Sequence, residues 1–150
     1  MKVTIRQFPE SVVSRPVIQA DVARVMETAP IMQRLLLPTR MNPHGGVALA
    51  HVQVVDKDPL RFFVHEGVAI INPVIVRHTR HTVPKEEACL SYCTKQQKLV
   101  DRYDVIEVKY QRIVDGKLYE PIFEDAKGEY AQIFQHEIEH FDGLNIYNAE

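Results

Sequence analysis

The order of hydrophobic and polar positions divides the chain into an early helix, a long series of strands and a late helix. Residues 21–37 carry apolar side chains at helical spacing, with Asp21 at the expected N-cap and Pro30 predicting a kink or a split. One face of this helix holds Val22, Val25, Met26 and Ala29. Residues 39–46 are rich in Pro, Asn and Gly and therefore predict a loop.

From residue 47 to about residue 83 the pattern is typical of strands. Short runs of β-branched and aromatic residues predict strands at 52–55, 61–64 and 68–76. Asn72 and Pro73 interrupt the last run, so we expect its hydrogen-bond ladder to break there or to lie at a sheet edge.

Strand and helix patterns also divide the second half of the chain. Residues 105–114 alternate between apolar and polar side chains, Asp115 and Gly116 predict a hairpin turn, and residues 118–123 predict the returning strand. The late helix carries apolar residues at helical spacing, namely Tyr130, Ile133, Phe134, Ile138 and Phe141. It is expected to end at residues 142–143. This order predicts one α+β domain over residues 1–150, with antiparallel sheets packed around the late helix.

Composition narrows the class of protein. The 150 residues are 45% hydrophobic and 25% charged, which is ordinary for a globular chain. The net charge of −2 and the lack of a basic run predict no nucleic-acid partner. No apolar stretch approaches the roughly 20 residues that span a bilayer, and the start lacks the apolar core of a signal peptide. We therefore expect a cytoplasmic protein without a membrane partner.

The candidate chemistry lies in the late helix. His136 and His140 are four residues apart, so both imidazoles lie on one helix face and can hold one metal ion. Glu137 is then placed to act as a base toward a water molecule that the metal activates. The alternative is a solvated helix face on which these side chains make weak contacts with one another.

A third metal ligand is expected upstream, because little chain follows His140. Downstream, the oxygen ligands are Asp142, which is too close on the helix, and Glu150. Upstream, Cys89 completes a set of one thiolate and two imidazoles that leaves a fourth position open. Cys93 is its chemical rival, although two thiolates with two histidines would close the site.

Three ordered segments resemble the motifs of the peptide deformylase family. Residues 46–53 read Gly-Val-Ala-Leu-Ala-His-Val-Gln, where the family usually has Gly-hydrophobic-Gly-Leu-Ala-Ala-x-Gln. Residues 87–91 read Glu-Ala-Cys-Leu-Ser instead of Glu-Gly-Cys-Leu-Ser. Residues 135–140 read Gln-His-Glu-Ile-Glu-His instead of Gln-His-Glu-x-Asp-His. The resemblance covers nearly the whole chain and implies a deformylase-like fold.

The resemblance also implies a reaction and a set of roles. The enzyme would remove the N-formyl group from formyl-methionyl peptides of newly made proteins and release formate. Its metal ligands would be Cys89, His136 and His140. The metal would be one divalent ion, Fe²⁺ in the cell, with Zn²⁺, Ni²⁺ or Co²⁺ as substitutes. Glu137 would be the general base and acid, while the Gln53 side chain and the Leu90 N–H would stabilise the oxyanion.

Further residues are assigned by the same resemblance. Arg102 and Glu139 would orient the ligands and the neighbouring loop. The residues expected to contact the N-formylated peptide are Gly46, Val47, Ala48, Glu87, Glu129, Gln132 and Ile133. The ribosome is a candidate partner, although the C-terminal helix with which some deformylases dock on it is absent from this sequence.

The departures from the motifs keep other hypotheses open. Ala48 and Ala88 replace glycines, and Glu129 and Gln132 are polar where many family members have apolar pocket residues. These changes allow a deformylase-like metal-binding protein with weak, absent or altered-substrate activity, or a small rotation that turns both polar residues toward solvent. A third reading, an unrelated peptidase, is disfavoured by the sequence around Cys89.

Overall fold

The computed structural model describes residues 3–7, 12–40, 42–92 and 95–148 of the chain. Two of the ligands considered from the sequence, Cys93 and Glu150, lie outside these ranges. The helices are α1 (Val22–Leu35) and α2 (Gly128–Phe141). The strands are β1 (Ala48–Ala50), β2 (Phe62–His65), β3 (Val68–His78), β4 (Thr82–Glu87), β5 (Lys98–Tyr103), β6 (Val105–Gln111), β7 (Ile113–Val114), β8 (Lys117–Leu118) and β9 (Ile122–Lys127).

Three antiparallel sheets, two of which contact α2, confirm the α+β class. The largest has the strand order β1-β2-β3-β6-β9, while β4 pairs with β5 and β7 pairs with β8. The side chains between this sheet and α2 form one buried cluster, and those between the sheet and α1 form a second. In the first cluster Phe63 meets Phe134 edge-to-face, with ring centroids 5.4 Å apart. The large sheet therefore holds α2 rigidly from one side. No helix within the described ranges is long and apolar enough to cross a membrane.

The predicted break at Asn72 and Pro73 is confirmed. The pairing of β3 with β6 shifts register between Ile71 and Val74, and Asn72 has a φ of 51°. The Asn72 side chain donates to the backbone oxygen of Val17 and to Oε1 of Gln111, at 2.9 and 2.7 Å. These hydrogen bonds offset the strain of a left-handed conformation at a residue that tolerates it better than most.

The predicted hairpin turn is confirmed, but the returning strand is wrong in extent. Asp115 and Gly116 both have positive φ, as a two-residue primed turn requires, and they join β7 to β8. The chain then leaves the hairpin, and β9 pairs with β6 as a separate strand that runs to Lys127. Glu124 obscures the alternation expected of this strand, because its carboxylate lies on the inward side, where an apolar residue is expected. There it accepts a hydrogen bond from the Tyr110 hydroxyl at 3.0 Å.

The early helix differs from its prediction in three respects. It is one continuous helix through Pro30, so the predicted split is wrong. Val25 and Met32, on either side of Pro30, are both buried, whereas Met26 is 52% exposed and does not belong to the buried face. Asp21 does not cap the helix with its side chain. Its carboxylate accepts hydrogen bonds from the Ile18 N–H and from the Arg15 guanidinium instead.

The predicted strand at residues 52–55 is also wrong. The chain forms strand β1 and then a 3₁₀ turn at His51–Gln53. Gln53 accepts a hydrogen bond from the Ala50 N–H through Oε1 at 2.9 Å, which closes this turn. The Gln53 side chain thus takes the Ala50 N–H that a continuing strand would use. This hydrogen bond outweighs the strand propensity of the valines.

The late helix ends as predicted. Gly143 has a φ of 78°, its N–H donates to the His140 carbonyl at 3.1 Å, and the Leu144 N–H donates to the Glu139 carbonyl at 3.0 Å. This pair of hydrogen bonds is the Schellman arrangement, which satisfies the last carbonyls of a helix.

The ion pair of Asp21 predicts how stability depends on pH. The hydrogen bond from Arg15 lowers the pKa of Asp21 from 3.8 to about 2, against the opposing effect of burial. A lowered pKa contributes stability above about pH 4, which is lost as the pH falls through 2. We expect Asp21→Asn to lower the free energy of unfolding by about 1 kcal/mol at pH 7, a value discounted because Arg15 is partly exposed.

Urea unfolding at pH 7, 4, 3 and 2.5 measures this effect. The difference between the wild type and Asp21→Asn should shrink steadily below pH 4. Asp125→Asn, an exposed substitution on β9, is the control and should leave stability within about 0.5 kcal/mol. A pH-independent difference at Asp21 would show that the loss comes from packing rather than from charge.

Candidate metal centre

Helix α2 places its two histidines one turn apart at the bottom of a cleft. The rings of His136 and His140 have centroids 5.0 Å apart, and His140 is buried. Both project from the same face because they are four residues apart on the helix. Burial lowers the pKa of His140 well below its ordinary value, so this imidazole is neutral and has the lone pair that a metal ligand needs.

The loop after β4 brings Cys89 to this pair of histidines. Its Sγ lies 3.5 Å from Nε2 of His140, and the ligand atoms of Cys89, His136 and His140 all lie within 4.8 Å of one another. Tetrahedral coordination with bond lengths of about 2.3 Å to sulfur and about 2.05 Å to nitrogen would separate these donor atoms by about 3.6 Å. The donor set therefore fits a divalent transition metal, and Cys89 is a buried free thiol.

A buried ion-pair network orients His136. Its Nδ1 lies 2.8 Å from Oε1 of Glu87, which leaves Nε2 as the ring nitrogen for a metal. Arg102 donates two hydrogen bonds to the Glu87 carboxylate, each 2.7 Å long, and also pairs with Glu139. Arg102 and Glu87 are both about 5% exposed. The two residues predicted to orient the ligands, Arg102 and Glu139, thus join Glu87 directly behind a ligand.

The charges and hydrogen bonds of this network shift the pKa values of Glu87 and His136. Burial favours the protonated form of Glu87, but the hydrogen bonds from Arg102 and His136 outweigh it and lower the pKa to about 2. Burial favours neutral His136, but hydrogen bonds with Cys89 and Glu87 raise its pKa to about 10 in the metal-free chain. A metal bound at Nε2 would replace that proton.

Glu137 faces the cleft from the same helix. It is 3% exposed, and its Oε2 has no hydrogen-bond partner among the described residues. A buried carboxylate oxygen without a partner is costly, which indicates that a ligand or solvent completes its contacts in the working protein. Burial raises the pKa of Glu137 to about 7, the range in which a carboxylate can both accept and return a proton near neutrality.

Gln53 reaches the same space from the 3₁₀ turn after β1. Its Nε2 donates to Oγ of Ser91 at 3.1 Å and lies 3.7 Å from Sγ of Cys89. Since Oε1 is held by the Ala50 N–H, the amide can present only its NH₂ group toward the thiol side of the site. This fixed orientation supplies a hydrogen-bond donor next to the ligand set.

The cleft itself has a volume of about 590 Å³ and is lined by the entry to β1, the end of β4 and α2. Leu90 packs against Gly46 so closely that a β-carbon on Gly46 would lie 2.5 Å from Cδ1 of Leu90. The Leu90 carbonyl accepts a hydrogen bond from Gln7 at 2.7 Å, which ties the loop after β4 to the N-terminal segment. A side chain at position 46 would therefore require the Leu90 side chain next to the site to move.

All residues predicted to contact the substrate line this cleft. They are Gly46, Val47, Ala48, Glu87, Glu129, Gln132 and Ile133. Gln132 is half-buried in the cleft, whereas Glu129 lines the cleft and is also exposed to solvent, so the alternative of solvent-facing side chains stays open for Glu129. Sequence reasoning missed other lining residues, namely Asn42, Gly45, Lys85, Glu86, Tyr92, Lys95 and Gln97. They lie in loops or at strand ends, where no periodic pattern marks an inward side chain.

The two alanines that replace motif glycines cause no backbone strain. Neither Ala48, in β1, nor Ala88, just after β4, is among the residues with positive φ. Alanine adopts a negative φ without strain, so the backbone need not change its conformation to accept either methyl group.

The chain is similar to known proteins over nearly its whole length. The family model described as polypeptide deformylase matches residues 3–149. The chain belongs to the polypeptide deformylase family. A protein named peptide deformylase from Desulforudis audaxviator is 31% identical over 149 residues, which cover 93% of this chain and 88% of that protein. The one from Thermotoga neapolitana is 36% identical over 110 residues, or 71% of this chain, and that match spans only 63% of the relative's own length.

The fold of this family member is shared with solved structures. The crystal structure of peptide deformylase from Thermotoga maritima superposes with a TM-score of 0.79 at 32% identity, covering 99% of this chain and 97% of that one. The expected deformylase-like arrangement of antiparallel sheets and a late helix is thus confirmed, and a family that carries a divalent metal matches the Cys–His–His site.

Proposed function

We propose that this protein hydrolyses the formyl group from N-formyl-methionyl peptides of newly made proteins. The observation that carries the proposal is the convergence of Cys89, His136 and His140 beside Glu137, a buried carboxylate without a partner among the described residues. Such a site suits hydrolysis of a small, planar amide that enters the cleft end-on. Family membership over nearly the whole chain supports the same reaction.

Cys89, His136 and His140 would hold one divalent metal ion, which would supply Lewis-acid polarisation of the formyl oxygen and activation of a water molecule. One thiolate and two imidazoles suit Fe²⁺, Zn²⁺, Ni²⁺ or Co²⁺. We propose Fe²⁺ as the ion in the cell, following the family resemblance. Glu87 would stabilise this arrangement by holding Nδ1 of His136, with Arg102 and Glu139 holding Glu87 in turn.

Glu137 would move the proton in both halves of the reaction. As a carboxylate it accepts a proton from the water that attacks the formyl carbon. It then donates this proton to the peptide nitrogen as the C–N bond breaks, so the products are formate and a free amino terminus. Burial, which raises the pKa of this carboxyl above its ordinary value, favours the return of the proton.

Gln53 and Leu90 would stabilise the charge that develops on the formyl oxygen. The Gln53 NH₂ group is held next to Cys89 by the 3₁₀ turn, and Leu90 begins the short turn Leu90–Tyr92 directly after that ligand. Fixed donors of this kind act without reorganisation during the reaction and each contributes about 3 kcal/mol in well-studied enzymes.

The remaining assignments are proposals on the same basis. The described residues pack on both faces of one sheet, which supports a single catalytic domain over residues 1–150. The formylated peptide is the partner, and the ribosome, where such peptides emerge, is a second candidate. The cytoplasm is the proposed compartment, where reducing conditions keep thiols such as that of Cys89 free.

Turnover of a formyl-Met-Ala-Ser peptide tests the function directly. Protein loaded under anaerobic conditions with Fe²⁺, Ni²⁺ or Co²⁺ should release one formate and one free amine per peptide. Failure with all three metals, at full metal occupancy, would leave a deformylase-like metal-binding protein with weak, absent or altered-substrate activity as the better description.

Metal analysis tests the ligand set separately. We expect Cys89→Ala to lose at least 100-fold in metal affinity, because two imidazoles alone hold a divalent ion weakly. Competition with a chromophoric chelator measures this loss. Cys93→Ala is the matched control and should retain one metal ion per chain. Loss of metal in Cys93→Ala together with retention in Cys89→Ala would reverse the assignment.

A further inference from the structure

The floor of the cleft carries a carboxylate that the proposed reaction does not use. Glu129 lies on α2 seven residues before His136, which places it about 10 Å farther along the helix axis. It lines the cleft and also an adjoining cavity of about 520 Å³, with Ile133 shared between the two. Glu129 is exposed and belongs to none of the ion pairs formed within the described residues.

Neighbouring charges do not neutralise this carboxylate. Lys85, on the β4 side of the cleft, lies 3.8 Å from Asp104, and Arg102 is occupied by Glu87 and Glu139. Lys95 lies over the ring of Tyr147, 5.6 Å from its centroid, toward the C-terminal segment. Arg112 lines the adjoining cavity together with Glu129 but forms no ion pair with it within the described residues. The Glu129 carboxylate is therefore available to a cationic ligand.

Gln132 is the second polar group on this floor, one turn nearer to His136. Its Nε2 donates to the backbone oxygen of Glu86 at 3.2 Å, so part of its hydrogen-bonding capacity is used within the protein. This bond fixes the amide against the β4 wall. Beyond Gln132, Glu129 is thus the charged group that a ligand extending from the metal centre meets along the floor.

We propose that Glu129 makes this enzyme select formyl peptides that carry a cationic group about 10 Å from the formyl carbon. The inference rests on the proposed function, since the formyl group must lie at the metal centre for this distance to apply. A carboxylate attracts an ammonium or guanidinium group and repels an acidic group at the same place.

Two positions in a peptide satisfy the distance. A lysine as the formylated residue places its Nζ roughly 9 Å from the formyl carbon when extended. A lysine as the third residue of an extended peptide starts about 7 Å farther along and points to the same side as the first, because strand side chains alternate. The second residue points to the opposite side. The chemistry is the same for the first and third positions, and separate peptides distinguish them.

Paired peptides with amidated C-termini provide the experiment. One pair compares formyl-Lys-Ala-Ala with formyl-norleucine-Ala-Ala, and the other compares formyl-Met-Ala-Lys with formyl-Met-Ala-Gln. In at least one pair, kcat/KM should be about fivefold higher for the lysine peptide at low salt, the effect of one partly exposed ion pair. The preference should fall in 0.5 M NaCl because salt screens it.

Variants at one position connect the preference to Glu129. Glu129→Gln should abolish it, and Glu129→Lys should reverse it in favour of formyl-Met-Ala-Glu or formyl-Glu-Ala-Ala. Glu120→Gln, which removes an exposed carboxylate that does not line the cleft, should leave it unchanged. Equal values for both pairs in the wild type, or a preference that survives Glu129→Gln, would overturn the inference.

Binding measurements separate this inference from the proposed function. Calorimetric titration of Glu137→Gln protein with the same peptides reports affinity without turnover. Turnover of formyl-Met-Ala-Gln without any charge preference would refute only the role of Glu129. Absence of turnover for every peptide would refute the proposed function, while the order of affinities still decides whether Glu129 recognises a cation.

Discussion

Glu137→Ala is expected to lower kcat for formyl-peptide hydrolysis by about 10³-fold or more while the metal stays bound. The loss follows from the position of the carboxylate, which is buried in the cleft and without a hydrogen-bond partner among the described residues. Without it, no positioned base takes the proton of the attacking water, and no positioned acid protonates the leaving nitrogen. General acid–base groups contribute typically 10² to 10⁴ in rate, and here one group performs both tasks.

Comparison of kcat with KM makes this prediction specific. Because Glu137 is not a metal ligand in the proposed site, the metal content of Glu137→Ala should equal that of the wild type. The KM for the peptide should change by less than about threefold, since the missing contact acts mainly in the transition state. Glu137→Gln, which keeps the size, should be as inactive as the alanine variant. A Gln variant with substantial turnover would place the base elsewhere.

Arg102→Leu is expected to lower the free energy of unfolding by about 3–5 kcal/mol, the cost of removing one member of a buried ion pair. Arg102 is about 5% exposed and donates two hydrogen bonds to Glu87. Its removal leaves the buried carboxylate of Glu87 without its guanidinium partner and also removes the partner of Glu139, whose side chain is 26% exposed. His136 loses its orientation at the same time, since its Nδ1 rests on Glu87.

Stability and metal affinity should therefore fall together in this variant. Urea unfolding of the metal-free protein measures the first effect, and chelator competition should show a 10- to 100-fold loss in the second. Arg77→Leu is the matched control, because Arg77 pairs with Glu107 on the surface with 78% of its side chain exposed. It should cost at most about 1 kcal/mol. Equal costs for both variants would show that burial does not strengthen the role of Arg102.

Local patterns account for the parts of the fold that the sequence predicted well. The helical period of the late apolar residues places His136, Glu137 and His140 on α2, and the stop at Gly143 follows from its left-handed conformation. The alternation in β6 and the primed turn at Asp115 and Gly116 likewise depend on neighbours in sequence. Such features are readable because the interactions that form them lie within a few residues.

The elements that were predicted wrongly all depend on side-chain hydrogen bonds. Asp21 binds Arg15 instead of capping α1, and Gln53 closes a turn where the valines predicted a strand. Glu124 occupies an inward position in β9 because Tyr110 on the neighbouring strand donates to it. In each case a side-chain hydrogen bond decided the local structure, between partners that are 6, 3 and 14 residues apart in sequence. No local propensity contains that information.

The sequence by itself determined the late helix, its two histidines and its glutamate, and the motif resemblance extended the prediction to Cys89 and Gln53. Only the tertiary structure decided that these residues meet, that Glu87 and Arg102 lie behind His136, and that Glu129 and Gln132 line the cleft. The physical reason is the range of the interactions. Helical periodicity depends on contacts three or four residues apart, whereas the site joins positions 36 to 51 residues apart through the packing of two separate sheets against α2.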